Sequence, residues 1–237
     1  MISASESEET TGVVARLRDP DPFQLPRNLH QRVRCCTRSG CGTAEEVTYL
    51  WIDLSNPGES TGFGLELQDW LNVVDEAASL GVSWLVFSVQ DTPSSFALVW
   101  DITRWAQETH GMILGFHSRT GDISDGDLKA ISELDREKCH FFVSQEHLER
   151  LSHLRDEGYK VHIADPKHEN TDSVCDMPGN MIFVKPDGAL YTCGMVRKNK
   201  DYLLGNIMEH KLNHVVRDPS LPHAVPEQAI EDKHGCD

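Results

Sequence analysis

Five short apolar runs alternate with amphipathic segments between Val47 and Ala164, and this rhythm constrains the fold more than any other feature. The runs cover 47–54, 82–88, 112–117, 139–144 and 159–164. The intervening segments repeat apolar residues at helical spacing, and three of them are followed by glycine, a residue typical just past a helix C-terminus. Continuous apolar strands joined through helices predict right-handed βαβ crossovers. The chain is therefore predicted to be α/β, with a mostly parallel sheet covered by helices.

Four such units and a fifth strand are too few for a closed eight-stranded barrel, so we expect a partial (βα) barrel or an open parallel sheet. The alternation of apolar runs and amphipathic segments ends after Asp165. Two short strands, Met181 to Val184 and Ala189 to Thr192, are predicted beyond it, joined by the turn sequence Lys185-Pro186-Asp187-Gly188. They predict a small C-terminal β-hairpin appendage.

Three regions follow from these patterns. Residues 1–46 are predicted to be a leader, disordered in part because its first 30 residues are rich in Ser, Glu, Asp and Pro. Residues 47–165 form the predicted α/β region, and residues 166–237 the cysteine-bearing region. With 237 residues, 39% of them hydrophobic, the chain is long enough to bury a sizeable core.

Charge and hydropathy exclude several classes of partner. The formal net charge of −16, from 22 Lys and Arg against 38 Asp and Glu, would repel a phosphate backbone, so nucleic acid is not expected to bind. No apolar run reaches membrane-spanning length, and the first residues lack the basic and apolar regions of a secretory signal. We expect a cytoplasmic protein without membrane contact, whose partner is a protein or peptide.

The seven cysteines of a cytoplasmic chain are expected to be free thiols, metal ligands or redox groups. Cys175 and Cys193 flank the predicted hairpin, and Cys236 follows near the end of the sequence. Paired thiols near turns are what soft metals and iron–sulfur clusters require. From the residues alone a [4Fe–4S] cluster, a zinc ion and unmetallated thiols all remain open.

A second cysteine group, Cys35, Cys36 and Cys41, lies in the leader beside Arg34 and Arg38. Its spacing matches no common zinc pair. The neighbouring arginines favour the thiolate form, so reactive single thiols are the favoured interpretation, and Cys36 or Cys41 remains a candidate for a missing fourth ligand. Cys139 begins an apolar run and is predicted to be a core thiol.

The hairpin region resembles the SPASM or twitch domain, an auxiliary-cluster region that follows the barrel of many radical S-adenosylmethionine (radical SAM) enzymes. The family pattern is a Cys, a spacer, a Gly shortly before a second Cys, then a Leu-Gly-Asn-Ile-like segment and further Cys residues. Here these are Cys175, Gly188, Cys193, Leu204-Gly205-Asn206-Ile207 and Cys236. The resemblance implies that Cys175, Cys193 and Cys236 are metal ligands for an auxiliary [4Fe–4S] cluster.

The upstream region resembles a radical SAM barrel in layout. Residues 70–82 followed by 86–88 look like its first helix and second strand, and residues 105–112 look like the approach to the third strand.

Two departures from the family concern S-adenosylmethionine itself. The family carries a CxxxCxxC loop after the first strand, whereas residues 54–64 contain no cysteine. The Gly-Gly-Glu-Pro segment that contacts the cofactor after the second strand reads Val89-Gln90-Asp91-Thr92. Hydroxyls and carboxylates do not replace thiolates on a low-potential cluster. S-adenosylmethionine is therefore not expected to be a cofactor, and an active radical SAM enzyme is not expected.

Polar residues near predicted strand ends form a second candidate site. Asp53, Asp91 and His117 follow or end the first three strands, and His162 lies in the fifth. Ligands of parallel α/β folds gather beyond strand C-termini, so these side chains are candidates to line one pocket, although a solvated polar rim is the favoured interpretation.

Three functions follow. The first is a radical SAM-like protein without the catalytic cluster motif, binding an auxiliary iron–sulfur cluster for electron transfer or as a non-catalytic partner. The second is a metal-free module that binds a peptide or small molecule at the strand ends. The third is an active radical SAM enzyme with an atypical cluster loop, formed by Cys35, Cys36 and Cys41.

Overall fold

The computed structural model describes residues 47–54, 65–163, 181–185 and 187–223. The strands are β1 (Tyr49–Leu54), β2 (Trp84–Val89), β3 (Ile113–Ser118), β4 (Cys139–Val143), β5 (Lys160–Ile163), β6 (Met181–Val184), β7 (Ala189–Tyr191) and β8 (Leu203–Asn206). The α-helices are α1 (Leu67–Ser79), α2 (Val99–His110), α3 (Asp125–Ser132), α4 (Ser152–Asp156) and α5 (Leu212–Arg217).

All eight strands form one open sheet in the order β5-β4-β3-β2-β1-β6-β7-β8. The strands β5 to β1 pair in parallel with their neighbours, and so do β1 and β6. Only the β6–β7 and β7–β8 pairs are antiparallel. The predicted α/β fold with an open parallel sheet is confirmed, and the predicted hairpin extends the same sheet beyond β1.

Local sequence signals account for the helix boundaries. Glu66 and Asp69 form a reciprocal capping box at the start of α1, and Ser124 and Asp127 do the same for α3. The helix α2 ends at Gly111, whose φ of 65° is left-handed and suits glycine.

The two faces of the sheet have different surroundings. One face carries Leu50, Ile52 and Phe87 and forms a large apolar core with α1 to α5. The opposite face, called the inner face here, carries a second buried cluster: Tyr49, Trp84, Val86, Phe142, Met181, Phe183 and Tyr191. Parallel strands in register present the same face at each level, which is why alternate residues of each strand join one cluster or the other.

Three local features differ from the sequence prediction. A single helix is expected over 146–157, but a 3₁₀ helix (Gln145–Leu151) precedes the short α4. The apolar residues there, Leu148, Leu151 and Leu154, are spaced by three, which matches three residues per turn. The strand β8 and the helix α5 were not predicted as elements.

Among the described helices none is long and apolar enough to cross a membrane. The division of the chain at residues 46 and 165 stays a prediction.

Candidate metal centre and strand-end site

Cys193 lies two residues beyond β7, and only 4% of its surface is exposed. The chain turns there into a 3₁₀ helix, Gly194–Val196, in which the Val196 amide donates to the Cys193 carbonyl at 3.3 Å. The Arg197 guanidinium donates to the Gly194 carbonyl at 2.9 Å. The thiol is therefore held in a compact, hydrogen-bonded turn directly after a sheet strand.

Gly194 is required by close packing against the inner face. A Cβ atom at this position would stand 2.9 Å from Cε2 of the Phe183 ring, closer than real Cβ contacts. Phe183 is itself only 5% exposed and lies on β6, next to β7. The missing side chain lets the Cys193 turn lie flat on that ring.

The hairpin turn and the Leu-Gly-Asn-Ile segment are joined through Gly188 and Asn206. Gly188 has a left-handed φ of 80°, and a Cβ atom there would lie 2.9 Å from the Asn206 Oδ1 atom. The Asn206 Nδ2 atom donates to the Asp187 carbonyl at 3.1 Å, and the Ile207 amide donates to the Gly188 carbonyl at 2.8 Å. These bonds tie β8 to the turn that starts β7.

Gly205 lies in the same Leu-Gly-Asn-Ile segment and is also closely packed. Its φ is 154°, and a Cβ atom there would lie 3.1 Å from the His210 ring. The ring accepts a hydrogen bond of 3.2 Å from the Asn206 amide at Nδ1. The residues that carry the SPASM resemblance, Gly188 and 204–207, thus form one hydrogen-bonded brace around the strand that leads to Cys193.

Of the predicted ligands, Cys193 is the one whose position is described. Cys175, Cys236 and the group Cys35, Cys36 and Cys41 lie outside the described residues, as does the whole loop 55–64. Within the described ranges no three His, Cys, Asp or Glu side chains converge on one metal position. A buried soft thiol in a rigid turn fits an iron–sulfur ligand, and the further thiolates would come from Cys175 and Cys236.

Cys139 behaves differently from Cys193. It begins β4, is fully buried, and lies within 3.8 Å of the Gln107 amide nitrogen. Burial raises the pKa of the Cys139 thiol to about 12, although the Gln107 hydrogen bond opposes this shift and Asp135 adds to it. The thiol stays protonated at neutral pH, and the predicted core role is confirmed.

The strand-end residues form a row on the inner face. Asp53, Ser88 and His117 are direct neighbours in register on β1, β2 and β3. The Trp51 indole nitrogen donates to the Ser88 hydroxyl at 2.7 Å. Because indole can only donate, the hydroxyl hydrogen is available to the His117 Nδ1 atom, 3.4 Å away.

The row continues toward the β5 edge. His117 is in register with Phe142, and Phe142 is in register with His162. The His162 Nε2 atom lies 2.9 Å from Nδ1 of His140, which is buried. A hydrogen bond between two imidazoles requires one neutral acceptor, so this pair shares a proton.

The structure brings Asp53, His117 and His162 onto one face, as their strand-end positions suggest. The Asp91 residue is exposed. Its backbone carbonyl accepts a hydrogen bond of 3.2 Å from the Ser118 hydroxyl. Ser88 was missed because a serine ending an apolar run carries no sequence signal until the strand register is known.

The comparisons with known proteins agree with this geometry. The SPASM iron–sulfur cluster-binding domain matches residues 175–234, a span that includes Cys193 and the Gly188–Asn206 brace. The crystal structure of Streptococcus suis SuiB has a similar fold, with a TM-score of 0.51 and 11% identity over 88% of this chain and 74% of SuiB. SuiB bound to S-adenosylmethionine gives a TM-score of 0.51 and 12% identity, over 92% of this chain and 72% of SuiB. No curated protein matches the chain in sequence.

The predicted SPASM-like region therefore matches the iron–sulfur cluster-binding domain over residues 175–234, and the two SuiB structures show that the fold of this chain is shared.

Proposed function

We propose that this protein binds an auxiliary [4Fe–4S] cluster through Cys175, Cys193 and Cys236 and uses it for electron transfer or as the non-catalytic partner of another protein. The observation that carries the proposal is the buried Cys193 thiol, held in its turn by the packing of Gly194 on Phe183. A bound cluster supplies one-electron transfer. The residues around Cys193 contribute a rigid, water-poor attachment.

The rigid position of the Cys193 thiol would affect the reduction potential of a bound cluster. Reduction potentials of clusters depend on hydrogen bonding, burial and solvent exposure. The Arg197 bond to the Gly194 carbonyl and the Val196 bond to the Cys193 carbonyl fix the backbone that directly follows the thiol. A ligand fixed in this way keeps its sulfur equally buried at all times. Constant burial would keep the reduction potential of a bound cluster constant.

Reductive cleavage of S-adenosylmethionine is not part of the proposed function. SuiB has been crystallised with S-adenosylmethionine, but in this chain residues 54–64 contain no cysteine and residues 89–92 read Val-Gln-Asp-Thr. A catalytic cluster needs three thiolates and one open iron, and the strand-end loop does not offer them. A cytoplasmic location and a protein or peptide partner complete the proposal.

Anaerobic reconstitution with iron and sulfide tests this function. The wild-type chain is expected to retain iron and sulfide in a ratio near one to one, and Cys175→Ala/Cys193→Ala is expected to lose most of both. Iron retention that is unaffected by this double substitution would contradict the proposal. Formation of 5′-deoxyadenosine under reducing conditions would instead favour an active enzyme whose cluster uses Cys35, Cys36 and Cys41.

The row of Asp53, Ser88 and His117 supports a second candidate, a metal-free binding module. Buried polar atoms in proteins usually have a hydrogen-bond partner. On the inner face, the Tyr49 hydroxyl and the Trp84 indole nitrogen are buried without one among the described residues. Burial raises the pKa of Tyr49, so its hydroxyl remains a donor for a small molecule or peptide.

The reactivity of Cys193 separates the two candidates. A metal-free module leaves its thiols open to alkylation once the fold opens locally, whereas a bound cluster protects its ligands. We expect iodoacetamide labelling of Cys193, followed by mass spectrometry, to be slowed by reconstitution. Equal labelling with and without iron would favour the metal-free module.

A further inference from the structure

A cationic patch follows the candidate cluster ligand directly. Residues 194–200, Gly-Met-Val-Arg-Lys-Asn-Lys, contain three cationic side chains and no acidic one, in a chain whose net charge is −16. The patch is defined here as Arg197, Lys198 and Lys200. Such a reversal of sign over seven residues is a strong local feature of an acidic surface.

The fold presents this patch next to Cys193. The loop connects β7 to β8, and the Arg197 guanidinium is anchored to the Gly194 carbonyl, one residue beyond the thiol. Lys198 and Lys200 are exposed. The Asn199 side chain accepts from the Asp201 amide at 3.0 Å, which starts the 3₁₀ turn Lys200–Tyr202 and holds the loop in place.

An exposed apolar side chain adjoins the patch. Leu203 follows the turn and is 38% exposed. Protein interfaces commonly place an apolar contact inside a charged, solvated rim. The combination favours a protein partner over a free anion, which would need only the charges.

We propose that the patch is the docking surface for an acidic one-electron carrier protein, a proposal that rests on the cluster proposed above. The chain as a whole repels an acidic partner, whereas the patch, which is followed by the exposed Asp201, offers such a partner three clustered positive charges. With a cluster bound, the carrier would give up one electron and the cluster would take it up, so the carrier would be oxidised and the cluster reduced by one electron each. No bond or proton is exchanged.

Stopped-flow reduction of the reconstituted protein by a small acidic [2Fe–2S] ferredoxin tests the docking surface. The variant Lys198→Glu/Lys200→Glu reverses the exposed charges of the patch. A matched control, Lys129→Glu/Arg155→Glu, makes the same change of charge at exposed positions on α3 and α4. The second-order rate of the patch variant is expected to fall about tenfold at low ionic strength, and the difference is expected to shrink as salt is added.

Two further readouts make the outcome decisive. Photoreduction with a deazaflavin needs no docking protein and is expected to proceed equally in all three proteins. A patch variant that ferredoxin reduces at the wild-type rate, or a control variant slowed as much as the patch variant, would overturn the docking surface. Absence of iron from the reconstituted wild-type protein would instead overturn the cluster itself, so the two failures are distinguishable.

Discussion

The side chain of Asn206 is hydrogen-bonded to the backbone of Asp187, 19 residues earlier, with 3.1 Å between Nδ2 and the carbonyl oxygen. The Asn206 Oδ1 atom also accepts from the Met208 amide at 2.9 Å. One side chain therefore closes the hairpin turn on one side and the turn after β8 on the other. The strand that leads to Cys193 lies between these two attachments, so its position depends on them.

Asn206→Ala removes both bonds and leaves their backbone partners at least partly exposed to water. We expect the free energy of unfolding to fall by about 1–2 kcal/mol, measured by urea denaturation. Asn72→Ala is the control, because within the described part of the chain the Asn72 side chain bonds only to the exposed Gln68 on the same helix. Equal stability of the two variants would contradict the bracing role.

Gly188→Ala is expected to be more costly than an ordinary glycine substitution. The left-handed φ of 80° and the 2.9 Å approach of Asn206 Oδ1 both oppose a side chain, so we expect a loss of about 1–3 kcal/mol. Gly126→Ala in α3 is the matched control, since the nearest atom to its added Cβ is 3.7 Å away. A helical alanine there should be neutral or stabilising. Similar thermal shifts for both variants would argue against strain at Gly188.

The sequence predicts most of the fold because the parallel sheet is buried on both faces. Strands such as β2 and β4 then read as continuous apolar runs, and their lengths alone mark them. The strand β8 has no such signal. Its residues Gly205 and Asn206 belong to the brace, and Gly and Asn are residue types that disfavour a strand. The pairing of β6 with β1 is non-local and cannot be read from either segment.

Asp127 is the buried carboxylate that joins α3 to the segment before α2. It is fully buried and accepts from the Ser94 amide at 2.9 Å, the Trp100 indole at 3.1 Å and the Ser124 amide at 2.9 Å. Asp127→Ala leaves these donors unsatisfied, and we expect a loss of about 3 kcal/mol or more in unfolding free energy. Asp125→Ala, at an exposed position of the same helix turn, should cost less than about 1 kcal/mol. Equal losses would contradict this account.

The Asp75–His110 contact predicts an acid-sensitive link between α1 and α2. Burial by itself would raise the pKa of Asp75, but hydrogen bonds from His110 and Trp105, both at 2.7 Å, hold that pKa below its ordinary value. A lowered folded-state pKa stabilises the protein above the unfolded value of about 3.9, and this stabilisation is lost as pH falls through the folded pKa.

The stability difference between wild type and Asp75→Asn should therefore be present at pH 7 and shrink below about pH 4. It should stay under about 1 kcal/mol, because Asp75 is 44% exposed and solvent screens the pair. Thermal unfolding at several pH values measures it, with Glu108→Gln as the control. A difference that grows on acidification would reverse the assigned sign.

The candidate site was predictable only where chemistry and spacing coincide. Cys193 could be singled out because a thiol beyond a turn is rare and chemically specific. The rigid position of its thiol could not be predicted, because the packing of Gly194 on Phe183 depends on how the strands pair. The row of Asp53, Ser88 and His117 arises in the same way, since neighbours across a sheet are about 30 residues apart in the chain.

Mössbauer spectroscopy of protein reconstituted with isotope-enriched iron tests the central claim most directly. The variants to compare are Cys193→Ala and Cys139→Ala, which remove two buried thiols, only one of them placed at the proposed cluster. We expect a [4Fe–4S]²⁺ doublet in the wild-type and Cys139→Ala proteins and its loss or conversion in Cys193→Ala. Absence of the doublet from the wild-type protein, or its equal intensity in all three, would contradict the account.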